Sequence, residues 1–353
     1  MKRWWGFITV ALFVLGLAAS ASAAGYKSEY KMSVVVGPMT SWGQGAQKFA
    51  DLVKQRTAGR INIKIYYSGQ LYAGKQTNEF MLIKQGVADF ALGSTINWST
   101  TVKELNLFSL PFLIPDYQAL DAIENGPLGG KIFQILAEKG AVALGWGENG
   151  FRELTNSKRA VKRPEDLDGL KIRVVGSPIF IDTFRALGAN PVSMNWGEAL
   201  TAFQSGLVDG QENPVTGILI PYKLWTVHKY CTFWHYVIDP LILLAGNETW
   251  KTFDKQDQDI LRQAAREATA WQKDAARRGL HKSMTAVNEL RKHGMDVTVL
   301  TADQIALFKA KTKPVYTRWT GEIGADLVKA AEDAVAKAAG PARKPARKRI
   351  QKP

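Results

Sequence analysis

The chain has 353 residues, 46% hydrophobic and 22% charged, with one cysteine, Cys231. This excludes a disordered chain, a collagen-like fibre and a disulfide-dense miniprotein, and a single cysteine excludes an internal disulfide or a Cys-rich zinc site. The net charge of +14 has the size of a nucleic-acid signal but not its distribution. Lys2 and Arg3 open the chain, Arg343, Lys344, Arg347, Lys348, Arg349 and Lys352 close it, and without these eight the balance is +6.

Lys2 and Arg3 precede an apolar run from Phe7 to Ala19 and the small residues Ser20-Ala21-Ser22-Ala23-Ala24. The pattern reads as a secretory signal peptide over 1–23, cut after Ala23, with Ala21 or Ala24 as alternative sites and an uncleaved anchor as the competing reading. The run falls short of the roughly 20 residues that span a bilayer. The mature protein is therefore expected to be soluble and exported, to a compartment without a steady supply of ATP or nicotinamide cofactors.

Lys31–Gly37 reads as a buried strand, and Ser41 as the cap of a helix to about Arg56 with Ala46, Phe49, Ala50 and Val53 on one face. Ile61–Tyr67 alternates as a strand does. Lys75–Gln85 reads as a helix and Val87–Leu92 as a strand, so β and α alternate and imply a mostly parallel sheet. Asp116 can cap a helix carrying Leu120 and Ile123, followed by a helix over Lys131–Lys139 and a strand over Ala141–Gly145. A second α/β unit starts near Gly150. Its strand Leu170–Val175 leads to a helix over Ile179–Leu187, a short strand Pro191–Met194, and a helix capped by Asn195 with Glu198 completing a capping box. Gln211-Glu212-Asn213-Pro214 reads as a turn, and Lys229–Trp234 and Pro240–Gly246 as strands linking the lobes. Asp254 to about His293 reads as a long helix of up to about 60 Å, with Gly279 as a possible break. The remainder to about Ala339 is helical by composition. Two α/β lobes are expected, 24–150 plus about 240–280, and 151–239 plus about 281–340, with a basic disordered tail over 341–353. An exported chain of this kind fits a hinged trap that buries its ligand between lobes.

Gly145-Trp-Gly147-Glu-Asn-Gly150 matches G-x-G-x-x-G, but no convincing amphipathic helix follows it, so it reads as a glycine-rich crossover rather than a dinucleotide site. His228, His235, His281 and His293 form no close ligand pair, and no G-x-S-x-G elbow exists. No cofactor, metal or catalytic residue is expected. Arg173 stands out: Ile172 and Val174 share one face of their strand, so its guanidinium points the other way. A guanidinium grips a carboxylate bidentately, but spacing alone favours a surface or structural ion pair over a ligand role. Arg152 at the crossover carries the same two readings, and the Asn213 amide, before Pro214, reads as a cleft-wall contact or a residue that shapes the turn. Trp98, Trp196 and Trp234 are core residues by default, or cleft residues stacking on a ligand.

Several stretches, in order, resemble the DctP-type solute-binding component of TRAP (tripartite ATP-independent periplasmic) transporters. Thr57-Ala-Gly-Arg-Ile61 resembles a "T-x-G-x-I" turn. Tyr67-Ser-Gly-Gln-Leu71 resembles "P-x-G-Q-L-G" with Tyr67 and Tyr72 departing from it, and Leu110-Pro-Phe-Leu113 resembles "L-P-F-L". Asp166-Leu-Asp-Gly-Leu-Lys-Ile-Arg-Val174 resembles "D-L-x-G-x-K-I-R-V". Trp196-Gly-Glu198 through Gly206-Leu-Val-Asp-Gly-Gln-Glu-Asn-Pro214 resembles the family's "V-D-G-Q-E-N-P" segment.

The resemblance implies an α/β, two-lobed, type II-like periplasmic-binding-protein fold, with hinge strands and a lobe-spanning helix. It implies a periplasmic protein, not an enzyme, that catches a small organic acid and delivers it to TRAP membrane permease subunits. Arg173 takes the carboxylate-clamp position. Arg152 and Asn213 match further ligand contacts, Trp234-His235 and Trp98 match pocket-lining segments, and Glu212 and Trp196 stand beside these motifs. An aromatic or branched 2-oxo or 2-hydroxy monocarboxylate is favoured over a dicarboxylate, on the strength of Trp98, Trp234 and Tyr236. The family implies a monomer that binds no nucleic acid. An ABC-type binding protein or a periplasmic enzyme acting on an organic acid are the alternatives.

Overall fold

The structure, a computed structural model, describes residues 25–280 and 284–340; the expected signal segment 1–23, the tail 341–353 and His281 lie outside them. The first lobe opens with β1 (Tyr30–Ser33), α1 (Ser41–Arg56), β2 (Ile63–Tyr66), α2 (Glu79–Lys84), β3 (Phe90–Ser94), α3 (Thr95–Trp98), α4 (Tyr117–Glu124) and α5 (Pro127–Lys139). β1 lies between β2 and β3, parallel to both. α1 buries Trp42, Ala46, Phe49, Ala50 and Val53, the face its helical spacing dictates. Its cap is Thr40 rather than Ser41, because the Thr40 hydroxyl accepts from the Gly43 amide. Asp116 caps α4 through the Ala119 amide.

β4 (Ala141–Asn156) runs through both lobes. The second lobe adds β5 (Lys171–Val174), α6 (Pro178–Ala186), β6 (Asn190–Ser193), α7 (Trp196–Gln204), β7 (Gly210–Pro214) and β8 (Tyr230–Phe233). The chain then returns through β9 (Ile238–Gly246), α8 (Asn247–Thr252) and α9 (Lys255–Arg277), and ends with α10 (Thr285–Lys292), β10 (Asp296–Val299), α11 (Ala302–Ile323) and α12 (Ala325–Ala338). The ten strands form one continuous sheet, in the order β2-β1-β3-β9-β4-β7-β5-β6, with β8 on β4 and β10 on β8. β4 makes this possible by pairing with β9 along Ala141–Phe151 and with β7 along Arg152–Asn156. Along β9, Leu241, Leu243 and Ala245 enter one apolar core and Ile242 and Leu244 the other. That is the period of two of a strand buried on both faces.

The glycine run in β4 lets α9 approach. A Cβ on Gly145 would stand 2.8 Å from Thr269 Oγ1, and one on Gly147 2.8 Å from Gln272 Oε1. Gln272 in turn accepts from the Glu148 amide (2.8 Å) and donates to the Glu148 carbonyl (2.7 Å).

Four expectations are corrected. Gln211–Pro214 is not a turn but most of β7, a buried strand disguised by polar residues. The long helix stops at Arg277, about 35 Å from its start at 1.5 Å per residue, and Gly279 sits at φ +78° in the turn that follows. β10 interrupts a stretch read as helical, held in parallel register against β8. Within 281–340, expected in the second lobe, α12 packs on α4 and α5 of the first. No helix among the described residues is long and apolar enough to cross a membrane.

Candidate ligand-binding site

A small cavity of about 30 Å³ lies where the two lobes meet. The first lobe supplies Val35, Val36, Trp42, Gln76, Ser94 and Asn97 to its wall; the second supplies Arg152, Arg173, Val175, Trp196, Asn213 and Ile218. Asn149 of β4 and Asp239 of β9 complete it at the strands that join the lobes.

Arg173 reaches the cavity because β5 alternates. Ile172 and Val174 fill the core behind the strand, and Arg173 emerges on the cleft side. The residue is 1% exposed. Its Nε and Nη2 donate to the Met194 carbonyl at 2.9 and 2.7 Å, and the guanidinium lies 5.7 Å from the Trp196 ring. Among the described residues no carboxylate forms an ion pair with it. Burial lowers its pKa to about 10, against the opposing pull of Glu212, so it stays charged at neutral pH.

Arg152 is placed differently. Its guanidinium is gripped by the Glu212 carboxylate through Nε and Nη2, reaches the Glu212 carbonyl at 2.8 Å, and stands 3.3 Å from Asp239 Oδ2. Burial alone would lower its pKa, but the two carboxylates raise it on balance. Tyr236 donates to Glu212 at 2.6 Å, and Asp239 accepts from Ser94 (2.5 Å) and Asn149 (2.8 Å). Arg152 therefore touches the cavity with its charge already matched, whereas Arg173 touches it with its charge free.

Asn213 lies on the wall and donates to Gln211 Oε1 at 2.5 Å. Trp196 lies on it beneath Arg173. Glu212 stands behind the wall as the partner of Arg152. Three expected residues miss the cavity. Trp98 is buried in the first lobe, donating to Glu79 Oε2 at 2.9 Å, while its helix neighbour Asn97 faces the cleft. The His235 side chain lies on the Glu153 side of β4, opposite in strand alternation to Arg152, whereas the Trp234 ring is buried in the apolar core, donating to the Arg152 carbonyl at 3.0 Å and packing on Tyr236 and Phe184. Glu153 accepts from the backbone amides of both Trp234 and His235 and pairs with His235 Nδ1 at 2.5 Å. The aromatic wall expected from Trp98 and Trp234 is thus absent from this cavity.

Gln76, Ser94, Asn97, Asn149 and Asp239 escaped the sequence reading. For Ser94 and Asp239 the signal that singles out Arg173 was present, a polar residue inside an apolar strand. No group of described residues could hold a metal ion. His228 is buried and neutral, its pKa lowered to about 4 by burial, and His293 stacks on Trp225.

Residues 32–322 match the model of the DctP family, bacterial extracellular solute-binding protein family 7. The chain belongs to this family. A TRAP periplasmic solute-binding protein from Ralstonia eutropha H16, solved with bound (S)-2-acetolactate, is 53% identical to this DctP-family chain. It covers 88% of this chain and 100% of its own, with a TM-score of 0.87. A succinate-bound TRAP protein from Sulfurospirillum deleyianum is 29% identical over 87% of this chain and 98% of its own, at a TM-score of 0.79. The 2,3-diketo-L-gulonate-binding periplasmic protein YiaO of Escherichia coli K12 is 28% identical, covering 92% of this chain and 98% of YiaO. The two-lobed TRAP solute-binding architecture and the organic-acid-binding class follow for this DctP-family member.

Proposed function

We propose that this protein captures a small branched monocarboxylate carrying an oxygen next to its carboxylate, with 2-acetolactate as the leading candidate. Arg173 clamps the carboxylate, the lobes close over it, and the closed protein delivers it to the membrane permease of a TRAP transporter. The export signal is removed after Ala23 in the periplasm.

The observation that carries this reading is the charge state of the two arginines. Arg152 is held by Glu212 and Asp239, so among the described residues Arg173 is the cation that faces the cavity without an ion pair, and one carboxylate is the matching ligand. A C4 diacid would need a second free cation. The rest of the wall pairs polar groups, among them Asn97, Asn149 and Asn213, with the methyl-bearing Val35, Val36, Val175 and Ile218. That mixture suits a short acid with oxygens at one end and methyl groups at the other. The acetolactate bound by the Ralstonia relative has this shape.

A thermal-shift panel of 2-acetolactate, pyruvate, succinate, galactonate and phenylpyruvate tests it. A ligand at 100 times its Kd stabilises the fold by about 2.7 kcal/mol, several degrees of Tm for a chain this size. Acetolactate should give the largest shift, and Arg173→Ala should abolish it. A larger shift with succinate would replace the monocarboxylate by a diacid. Small molecules released on denaturing the purified protein identify any acid that co-purifies.

A further inference from the structure

Two helices of the second lobe aim their N-termini at the first, and neither is capped by its own cap residue. α6 follows Ser177 and α7 follows Asn195, both strong capping types, yet neither side chain accepts from its helix. The Ser177 hydroxyl instead crosses the cleft, donating to Asn106 Oδ1 at 3.1 Å, with the Ser99 hydroxyl oxygen 3.0 Å away. At α7, the Trp196 amide is one of the first-turn donors that a helix cannot satisfy internally. It donates across the cleft to Gln76 Oε1 at 2.8 Å. Gln76 is itself fixed by donating to Asn97 Oδ1 at 2.7 Å, and Asn195 turns aside to Glu198. Gln76, Ser99, Asn106 and Ser177 are all buried.

We propose that these crossings at the two helix starts, the cap that Gln76 gives α7 and the Ser177 hydroxyl that leaves α6 for Asn106, form the latch of closure, with Gln76 and Ser177 as its positioning residues. The inference rests on the ligand-closure reading above. In an open form, Ser177 and Asn195 can turn back onto their own helices, as residues of these types do. In the closed form Gln76 caps α7, and Ser177 turns from α6 to Asn106. The Ser177 and Asn195 side chains and the start of α7 thus have partners in both forms, which keeps the two close in free energy and lets a ligand decide between them through its differential affinity. Gln76 also fixes the start of α7, and with it the Trp196 ring beneath Arg173, so the latch and the clamp share one helix terminus.

Gln76→Leu removes the acceptor for Trp196, and Ser177→Asp keeps a capping oxygen for α6 but loses the hydroxyl donor to Asn106. With 2-acetolactate as probe, stopped-flow binding should show each variant releasing ligand about tenfold faster, the equivalent of one neutral hydrogen bond. For Ser177→Asp, outside the cavity wall, association should stay within about twofold, as expected for a change confined to the bound state; Gln76 lines the cavity, so for Gln76→Leu the ligand-free scattering is the reading that separates latch from ligand contact. Ser177→Thr, which retains the hydroxyl, should restore slow release. Without ligand, small-angle scattering should show a larger radius of gyration for both latch variants than for wild type, with no loss of Tm. Release rates and ligand-free scattering equal to wild type in both variants would overturn the latch. A wild type that shows no compaction with any acid of the panel would overturn the closure reading and the latch together. A wild type that compacts while the variants behave identically to it would overturn the latch alone.

Discussion

Arg173 and Arg152 stand on the same cavity, and their surroundings give them opposite roles. Truncating Arg173 removes a buried cation that has no ion pair. Arg173→Ala should lower carboxylate affinity by at least about 100-fold, within the 2–5 kcal/mol expected for losing one partner of a buried charge pair, while the ligand-free Tm stays level or rises. Arg173→Lys keeps the charge without the fork and should fall between the two; calorimetric titration ranks all three. Arg152→Ala instead strands Glu212 and Asp239 in the interior, at a cost of about 3–5 kcal/mol, so urea unfolding should reveal it before any binding assay does. Glu79 offers a separate test. Burial raises its pKa from 4.5 to about 7, against the hydrogen bonds from Ser33 and Trp98. Between those values the folded state holds a proton that the unfolded state has lost. Stability should therefore fall as pH rises from about 4.5 to 7, by on the order of 3 kcal/mol from this group. Urea unfolding at pH 5 and pH 8 should show that part of the slope missing in Glu79→Gln; an unchanged slope would remove Glu79 as its source.

At the scale of elements, β4 explains what its glycines are for. They admit α9 against the strand, so Gly147→Ala should push Gln272 off the Glu148 backbone and cost about 1–3 kcal/mol, seen as a lower Tm with unaltered ligand preference. An unchanged Tm would mean that α9 yields freely. The α/β alternation was legible because α1 and α4 carry their apolar faces and start near their capping residues. β7 was hidden because Gln211, Glu212 and Asn213 are the polar composition of a turn, and they are buried as a strand only because Arg152 and Thr155 on β4 supply their partners. The same dependence on distant partners separated the site residues. Arg173 was readable from its own strand, since alternation alone turns it from the core. Trp98 was misplaced by one residue, because which face of a one-turn helix looks at the cleft is set by packing against Phe80 and Glu79. Trp234 and His235 line no part of the cavity because distant partners, which nothing local announces, turn the Trp234 ring into the core against Phe184 and Tyr236 and hold His235 on Glu153. Gln76 carried no local signal, since its importance comes from Trp196, far away in sequence.

For the whole molecule, the first lobe is discontinuous. β1, β2 and β3 are separated from the crossover strand β4 by β9, which arrives only after β5 to β8 of the second lobe have been laid down, and α9 then covers β4. Neither lobe has a complete sheet of its own, because β4 belongs to both. The expected outcome is one calorimetric transition whose van't Hoff and calorimetric enthalpies agree; two separable transitions would show the lobes to be independent. The order of strands also has a consequence for synthesis. A chain growing from its N-terminus cannot close its sheet around β3 until Gly246 has been made, so long-range pairing must wait for most of the polypeptide. Such a chain lingers without native structure during translation, the state in which a polypeptide can be threaded through a narrow export channel and fold on the far side.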